Sequence, residues 1–115
     1  FFWGDNISDF LPLFINDSKK HYFIDCSDKD LKGVILAIKN SNFYIGNNSG
    51  PLNLSAALGI NTFGLIATDP VSELKYSKIK PIVPDEYVDN VWIRDRSGMK
   101  KLKPQKVFDE IIKSI

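Results

Sequence analysis

The chain has one cysteine, Cys26, so no disulfide can form within it and no cysteine-based zinc cage can be built. That economy fits a reducing, cytoplasmic setting. Charge of one sign is also missing: fifteen Lys and Arg face fourteen Asp and Glu, a net of +1. A general nucleic-acid binder needs a basic excess to neutralise phosphates, so that class is not indicated. No run approaches the roughly 18 apolar residues that span a bilayer, and the first residues lack the basic-then-apolar layout of a secretory signal. His21 is the lone histidine. It has no partner at metal-ligand or triad spacing, and reads as a partly exposed strand residue.

What is present is an ordinary globular mixture. Apolar residues make up 43% and charged residues 25% of 115 residues, which suits one folded domain with one core. There is no internal repeat, low-complexity tract or linker. The first residue is Phe and the single methionine is Met99, so the chain reads as a fragment or excised domain of a longer protein. Asn-x-Ser sequons begin at Asn6, Asn16, Asn47 and Asn53; in an Asn-rich chain without a leader, chance is their expected origin.

Strand-like and helix-like segments alternate. Phe1 to Trp3 reads as a strand end, and Ile7, Phe10, Leu11 and Phe14 recur at helical spacing, with Pro12 in the first turn if Ser8 caps. His21 to Asp25 reads as a strand. Leu31, Val34, Ile35 and Ile38 then mark one face of a helix opening near Asp28 or Lys29 and stopped by Asn40, Ser41 and Asn42. Phe43 to Ile45 is a buried-looking strand followed by Gly46-Asn47-Asn48-Ser49-Gly50-Pro51, and Leu54, Ala57 and Leu58 lie on the next helix, closed by Gly59 as a left-handed cap. Asn61 to Ile66 and Ile79 to Val83 read as further strands. Pro104 opens a final helix with Val107, Phe108, Ile111, Ile112 and Ile115 inward. Trp92 is expected in the core beneath that helix, Cys26 as a packed thiol, and Lys100, Lys101, Lys103 and Lys106 as a solvated face.

This alternation through short loops predicts an α/β fold, a Rossmann-like three-layer sandwich around a mostly parallel sheet. Ligands of such sheets sit at the carboxyl ends of the strands, which selects the loops at 4–8, 25–30 and 46–53. In the last of these the serine suits an N-cap, the glycine permits close approach, and the proline fits the first helical turn. A helix N-terminus with free donors seats phosphate, and a diphosphate is the obvious guest. On chemistry alone, plain punctuation between strand and helix is the favoured reading of the same three residues.

The block Tyr44-Ile45-Gly46-Asn47-Asn48-Ser49-Gly50-Pro51-Leu52-Asn53-Leu54-Ser55-Ala56-Ala57-Leu58-Gly59 resembles the signature of glycosyltransferase family 9, the ADP-heptose:lipopolysaccharide heptosyltransferases and their relatives. In that family a strand leads into Asp-Ser/Thr-Gly-Pro/Leu, then His-Leu, Ala-Ala-Leu-Gly, another strand and a Gly-Pro-Thr-Asp-Pro loop. Ala67-Thr68-Asp69-Pro70 follows here in the corresponding place, as do the upstream Trp3-Gly4-Asp5 turn and the Asp28 to Gly33 helix start. The resemblance covers residues 1–83.

The resemblance implies the C-terminal, donor-binding domain of a GT-B enzyme, spanning residues 1–115 as one Rossmann-like nucleotide-sugar-binding unit. It implies inverting glycosyl transfer in lipopolysaccharide or surface-glycan assembly, with an ADP-type nucleotide-diphosphate sugar as donor substrate and no cofactor or metal. The implied partners are a separate N-terminal half-domain and a glycan or lipid-linked acceptor, in the cytoplasm or peripheral to the inner membrane, without nucleic acid. The fragment alone is expected to be inactive, and no catalytic base is assigned because the acceptor half supplies it in the family. The implied donor-site residues are Asn48, Ser49, Gly50, Pro51, Leu52 and Asn53, together with Lys29, Thr68 and Asp69. Thr68 and Asp69 either close over the donor phosphates or form an ordinary turn. Asn48 stands where the family has aspartate and Asn53 where it has histidine, so two ionisable groups are absent. The alternative is a non-catalytic Rossmann-like module that binds a nucleotide or a partner.

Overall fold

The structure, a computed structural model, describes residues 1–3, 11–14, 29–67, 70–74, 76–87 and 100–114. Among them are strands β1 (Phe2–Trp3), β2 (Phe43–Asn47), β3 (Asn61–Leu65) and β4 (Ile79–Ile82), and helices α1 (Leu31–Lys39), α2 (Gly50–Ala57) and α3 (Pro104–Ser114). Helical residues at 11–14 and 100–101 and a 3-10 turn at Val71–Glu73 accompany them. The strand expected at 21–25, His21, Cys26, Ser8 and Trp92 lie outside the described residues.

The four strands form one sheet in the order β1-β2-β3-β4, and every pair is parallel. The longest ladder sets Phe43 opposite Asn61 and Asn47 opposite Leu65. A parallel sheet has to be buried on both faces, because its crossover segments return over it; accordingly Tyr44, Ile45 and Gly46 are buried in β2, and Thr62 to Leu65 in β3. Side chains alternate. Ile45, Phe63, Leu65 and Ile82 pack on one face with Phe14, Leu102 and the α3 residues Val107 and Ile111. Tyr44 and Ile79 pack on the other with Ile38 of α1 and Leu52 and Ala56 of α2. The result is an α/β architecture compatible with the Rossmann-like arrangement expected of the sequence. Pro81, which has no N–H to give, sits in β4, whose far side has no strand among the described residues.

Two helix ends differ in quality. Helix α1 opens at Leu31 rather than at Asp28 or Lys29, because the Asp30 carboxylate accepts from the Gly33 N–H at 2.9 Å and so makes Asp30 the N-cap. Leu31, on the same apolar face as Ile38, is 73% exposed. It lies about 10 Å further toward the helix start, past the packed region. Helix α2 ends as foreseen: Gly59 has φ of 80°, its N–H bonds to Ala56 O at 3.0 Å, and the Ile60 N–H reaches back to Ser55 O at 3.2 Å. This is a Schellman closure, in which the left-handed residue costs least as glycine. Gly64 has a different task. A Cβ there would meet Ile79 Cγ2 at 3.2 Å and Leu52 Cδ2 at 3.3 Å, so its bareness lets α2 settle on the sheet.

Helix α2 is also fastened to β3 by a buried polar pair. Thr62 Oγ1 donates to Ile60 O at 2.8 Å, and Ser55 Oγ lies 2.9 Å from Thr62 Oγ1. Threonine has one hydroxyl proton, so Ser55 must be the donor in the second bond. Ser55→Ala therefore removes a donor and should cost about 1 kcal/mol, whereas Thr62→Val leaves the Ser55 hydroxyl without its acceptor and should cost about 1–3 kcal/mol. Urea unfolding of the two variants checks the order.

At the surface, Lys106 Nζ holds Asp85 at 2.8 Å and Lys101 Nζ meets Glu86 at 3.2 Å, joining the 84–87 turn to residues 100–106. The hydrogen bond from Lys106, then its charge, draws the Asp85 carboxyl below its ordinary range. A carboxyl depressed in the folded state adds stability above its unfolded pKa, about 3.9, and loses it as the pH falls through the folded value. Asp85→Asn should thus be less stable than the parent at neutral pH, with the gap closing on acidification below about pH 4. Unfolding midpoints measured across that range provide the check.

Candidate functional site

In a parallel sheet each returning helix runs against its strands, which places the N-termini of α1 and α2 at the carboxyl edge. Only two residues, Asn48 and Ser49, separate the end of β2 from the start of α2. Ser49 is the N-cap by position, with extended backbone angles of φ −156° and ψ 177°. Its side chain, expected to cap, does not: Ser49 Oγ donates back to Asn47 O at 3.2 Å. The cause is Pro51. An N-cap side chain accepts from the second or third helical N–H, and proline at the second position has none, which removes one of those two donors. The N–H groups of Gly50 and Leu52 precede the first intrahelical bond and receive no side-chain cap.

The residues singled out from sequence have distinct positions here. Asn48 and Gly50 are exposed, whereas Ser49, Pro51 and Asn53 are half-buried. A Cβ built on Gly50 would meet nothing within 4 Å, so the space over that residue is open. Leu52 is fully buried and its side chain belongs to the core, leaving only its N–H to serve a ligand. Asn53 is tied to the turn itself, since its Nδ2 donates to Ser49 O at 3.1 Å beside the backbone bond from Asn53 N at 3.4 Å. Lys29 lies just ahead of the α1 cap at the same edge; it is exposed and makes no ion pair among the described residues. No described contact joins it to residues 48–53. Thr68 and Asp69 lie outside the described residues, between Ala67 and Pro70, which are both buried.

Two polar groups at this edge were not among the site residues the sequence suggested. Tyr44, the second residue of β2, is fully buried with its ring stacked on Phe1 at 5.7 Å and 8°, and its hydroxyl makes no hydrogen bond of good geometry. Burial pushes the phenol well above its ordinary pKa, an effect the adjacent Ser49 side chain offsets only in part. Asn47 Oδ1, at the end of the same strand, is likewise buried and unpartnered. A tyrosine inside a strand buried on both faces is the available signal, because its hydroxyl needs a partner that such a strand does not offer.

The arrangement provides a partial positive charge and free donors at an exposed glycine, with two unsatisfied buried groups just behind. It is suited to holding an anion. No group of His, Cys, Asp and Glu among the described residues is placed to hold a metal ion. Set beside family models, curated proteins and solved structures, the chain matches none. Its function is therefore argued from its residues and their geometry.

Gly50 separates a binding role from a structural one. Alanine there should leave stability unchanged or raise it by about 0.5–1 kcal/mol, since glycine is the poorer helix residue. If an anion rests on the first turn, the added methyl should weaken its binding several-fold. Paired unfolding and anion-titration experiments on Gly50→Ala make the comparison.

Proposed function

We propose that this domain binds the diphosphate of a nucleotide-sugar donor at the N-terminus of α2, as the donor half of an inverting, heptosyltransferase-like glycosyltransferase in surface-glycan or lipopolysaccharide assembly. The observation that carries the reading is the uncapped first turn with open space over Gly50, lying within the 44–59 block that resembles glycosyltransferase family 9. In this role the Gly50 and Leu52 N–H groups and the helix dipole hold the diphosphate oxygens, and Asn48 meets a hydroxyl of the sugar or ribose. Lys29 reaches toward the nucleotide from the start of α1, and Thr68 and Asp69 keep the role toward the phosphates that the resemblance implies.

In the transfer step the acceptor hydroxyl attacks the anomeric carbon, the bond from that carbon to the diphosphate oxygen breaks, and its electron pair leaves with the diphosphate. The acceptor proton passes to a base on the companion half. Donors fixed in advance where negative charge grows are usually the largest catalytic contribution, and the first turn of α2 supplies them. The donor is ADP-type, the acceptor a glycan or lipid-linked sugar, and the reaction belongs at the cytoplasmic face of the inner membrane.

One observation favours a second reading, a nucleotide-binding module without transfer activity. The turn bears no ionisable side chain from Asn47 to Asn53, and the Asn53 amide is already committed to Ser49 O. Titration calorimetry with nucleoside diphosphates and their sugar conjugates tests both. Binding of at least one with Kd below about 1 mM (about −4 kcal/mol) is expected, and absence of binding for all of them overturns both readings. Sugar transfer on addition of the companion half then separates enzyme from module.

A further inference from the structure

Resting on the reading of the α2 N-terminus as an anion seat, we propose that Tyr87 is a positioning residue for it: its hydroxyl, accepting from the Val71 N–H at 2.8 Å, fixes the segment that leaves β3 beside the seat and carries Thr68 and Asp69. The strand register sets the arrangement. Asn47 lies opposite Leu65 and Leu65 opposite Ile82, so the chain leaves β2, β3 and β4 side by side at the carboxyl edge. The first exit runs into the seat at Ser49 and Gly50, the second through Ile66 and Ala67 to Pro70 and Val71, and the third into the 84–87 turn. The exit of β3 is thus the neighbour of the seat, and Tyr87 holds it from the side away from β2.

The hold is continuous. The Ile66 N–H donates to Ile82 O at 3.0 Å, and Ala67 and Pro70 are buried, so the segment is anchored on both sides of residues 68 and 69. Val71 opens the 3-10 turn after Pro70, whose side chain makes no capping bond. An N–H at the start of a helical turn has no acceptor inside it, and the phenol oxygen supplies one from 16 residues away. Tyr87 is itself fixed: its N–H bonds to Pro84 O at 3.0 Å, and the 84–87 turn is clamped to Lys106 through Asp85 and to Lys101 through Glu86. A tyrosine ring carries its oxygen on few rotatable bonds and loses little freedom in doing so. Groups held in place before a ligand arrives need less ordering when it binds, and that is what the tie at Val71 gives the exit of β3.

Tyr87→Phe, which removes one oxygen from a half-buried ring, should weaken binding of ADP and of inorganic pyrophosphate about three- to tenfold, measured where urea unfolding shows parent and variant fully folded. In a Thr68→Ala/Asp69→Ala background the same substitution should change affinity less than about twofold, because the side chains it places are gone. A merely structural hydroxyl would move the urea midpoint without any difference between the two backgrounds. Unchanged affinity in Tyr87→Phe with normal binding by the parent overturns the positioning role and leaves the anion seat standing. An equal loss of affinity in both backgrounds, or failure of Tyr87→Phe to fold, overturns it as well, because the hydroxyl then serves something other than residues 68 and 69. If the parent binds neither probe, the anion seat itself fails and the role of Tyr87 with it.

Discussion

The all-parallel pairing of β2 with its neighbours is the constraint from which the rest follows. Parallel strands cannot be joined by tight hairpins, so the chain returns over the sheet after each strand, and both faces are covered. Ile45 and Tyr44, adjacent in sequence, consequently enter two different cores, one beneath α3 and the other beneath α1 and α2. The same return path brings the N-termini of α1 and α2 to one edge. A cluster of free backbone donors at that edge is thus a by-product of topology before it is a feature of any ligand.

At that edge the two helix starts are built on opposite principles. Asp30 closes α1 by accepting from Gly33, so that terminus is satisfied by a carboxylate of its own chain. Ser49 leaves α2 open, because proline removes one of the amides its side chain would accept from and because its hydroxyl turns back to Asn47. The stabilising half of α2 lies at its other end and along its buried side, in the Schellman closure at Gly59 and in the Ser55–Thr62 pair. A helix held firmly at its C-terminus and flank tolerates an unsatisfied N-terminus, and this division of labour frees the first turn for an external partner.

Much of this was legible in the residues. The strands read at 43–45, 61–66 and 79–83 and the helix from Pro104 follow from apolar runs and breakers, although β2 runs on through Gly46 and Asn47, and Gly59 could be assigned its left-handed role because few other residues adopt it cheaply. The 48–53 turn was legible as well, through Ser-Gly-Pro after a buried strand. Local rules did not reach the start of α1, where the choice among Asp28, Lys29 and Asp30 depends on which side chain finds an amide. Nor did they show that Leu31, on the apolar face by helical phase, lies beyond the packed region and is exposed.

By itself, then, the sequence determined the α/β alternation, the absence of an intrachain disulfide and the place of the candidate loop, all of which depend on composition and on spacing within a few residues. Tertiary structure decided what each loop residue does. It committed the Leu52 side chain to the core, bound the Asn53 amide to Ser49 O, and left the buried hydroxyl of Tyr44 without a hydrogen bond of good geometry. Those outcomes depend on how α2 sits on β2 and β3, and a hydrogen bond made or missed across that contact has no signature in neighbouring residues.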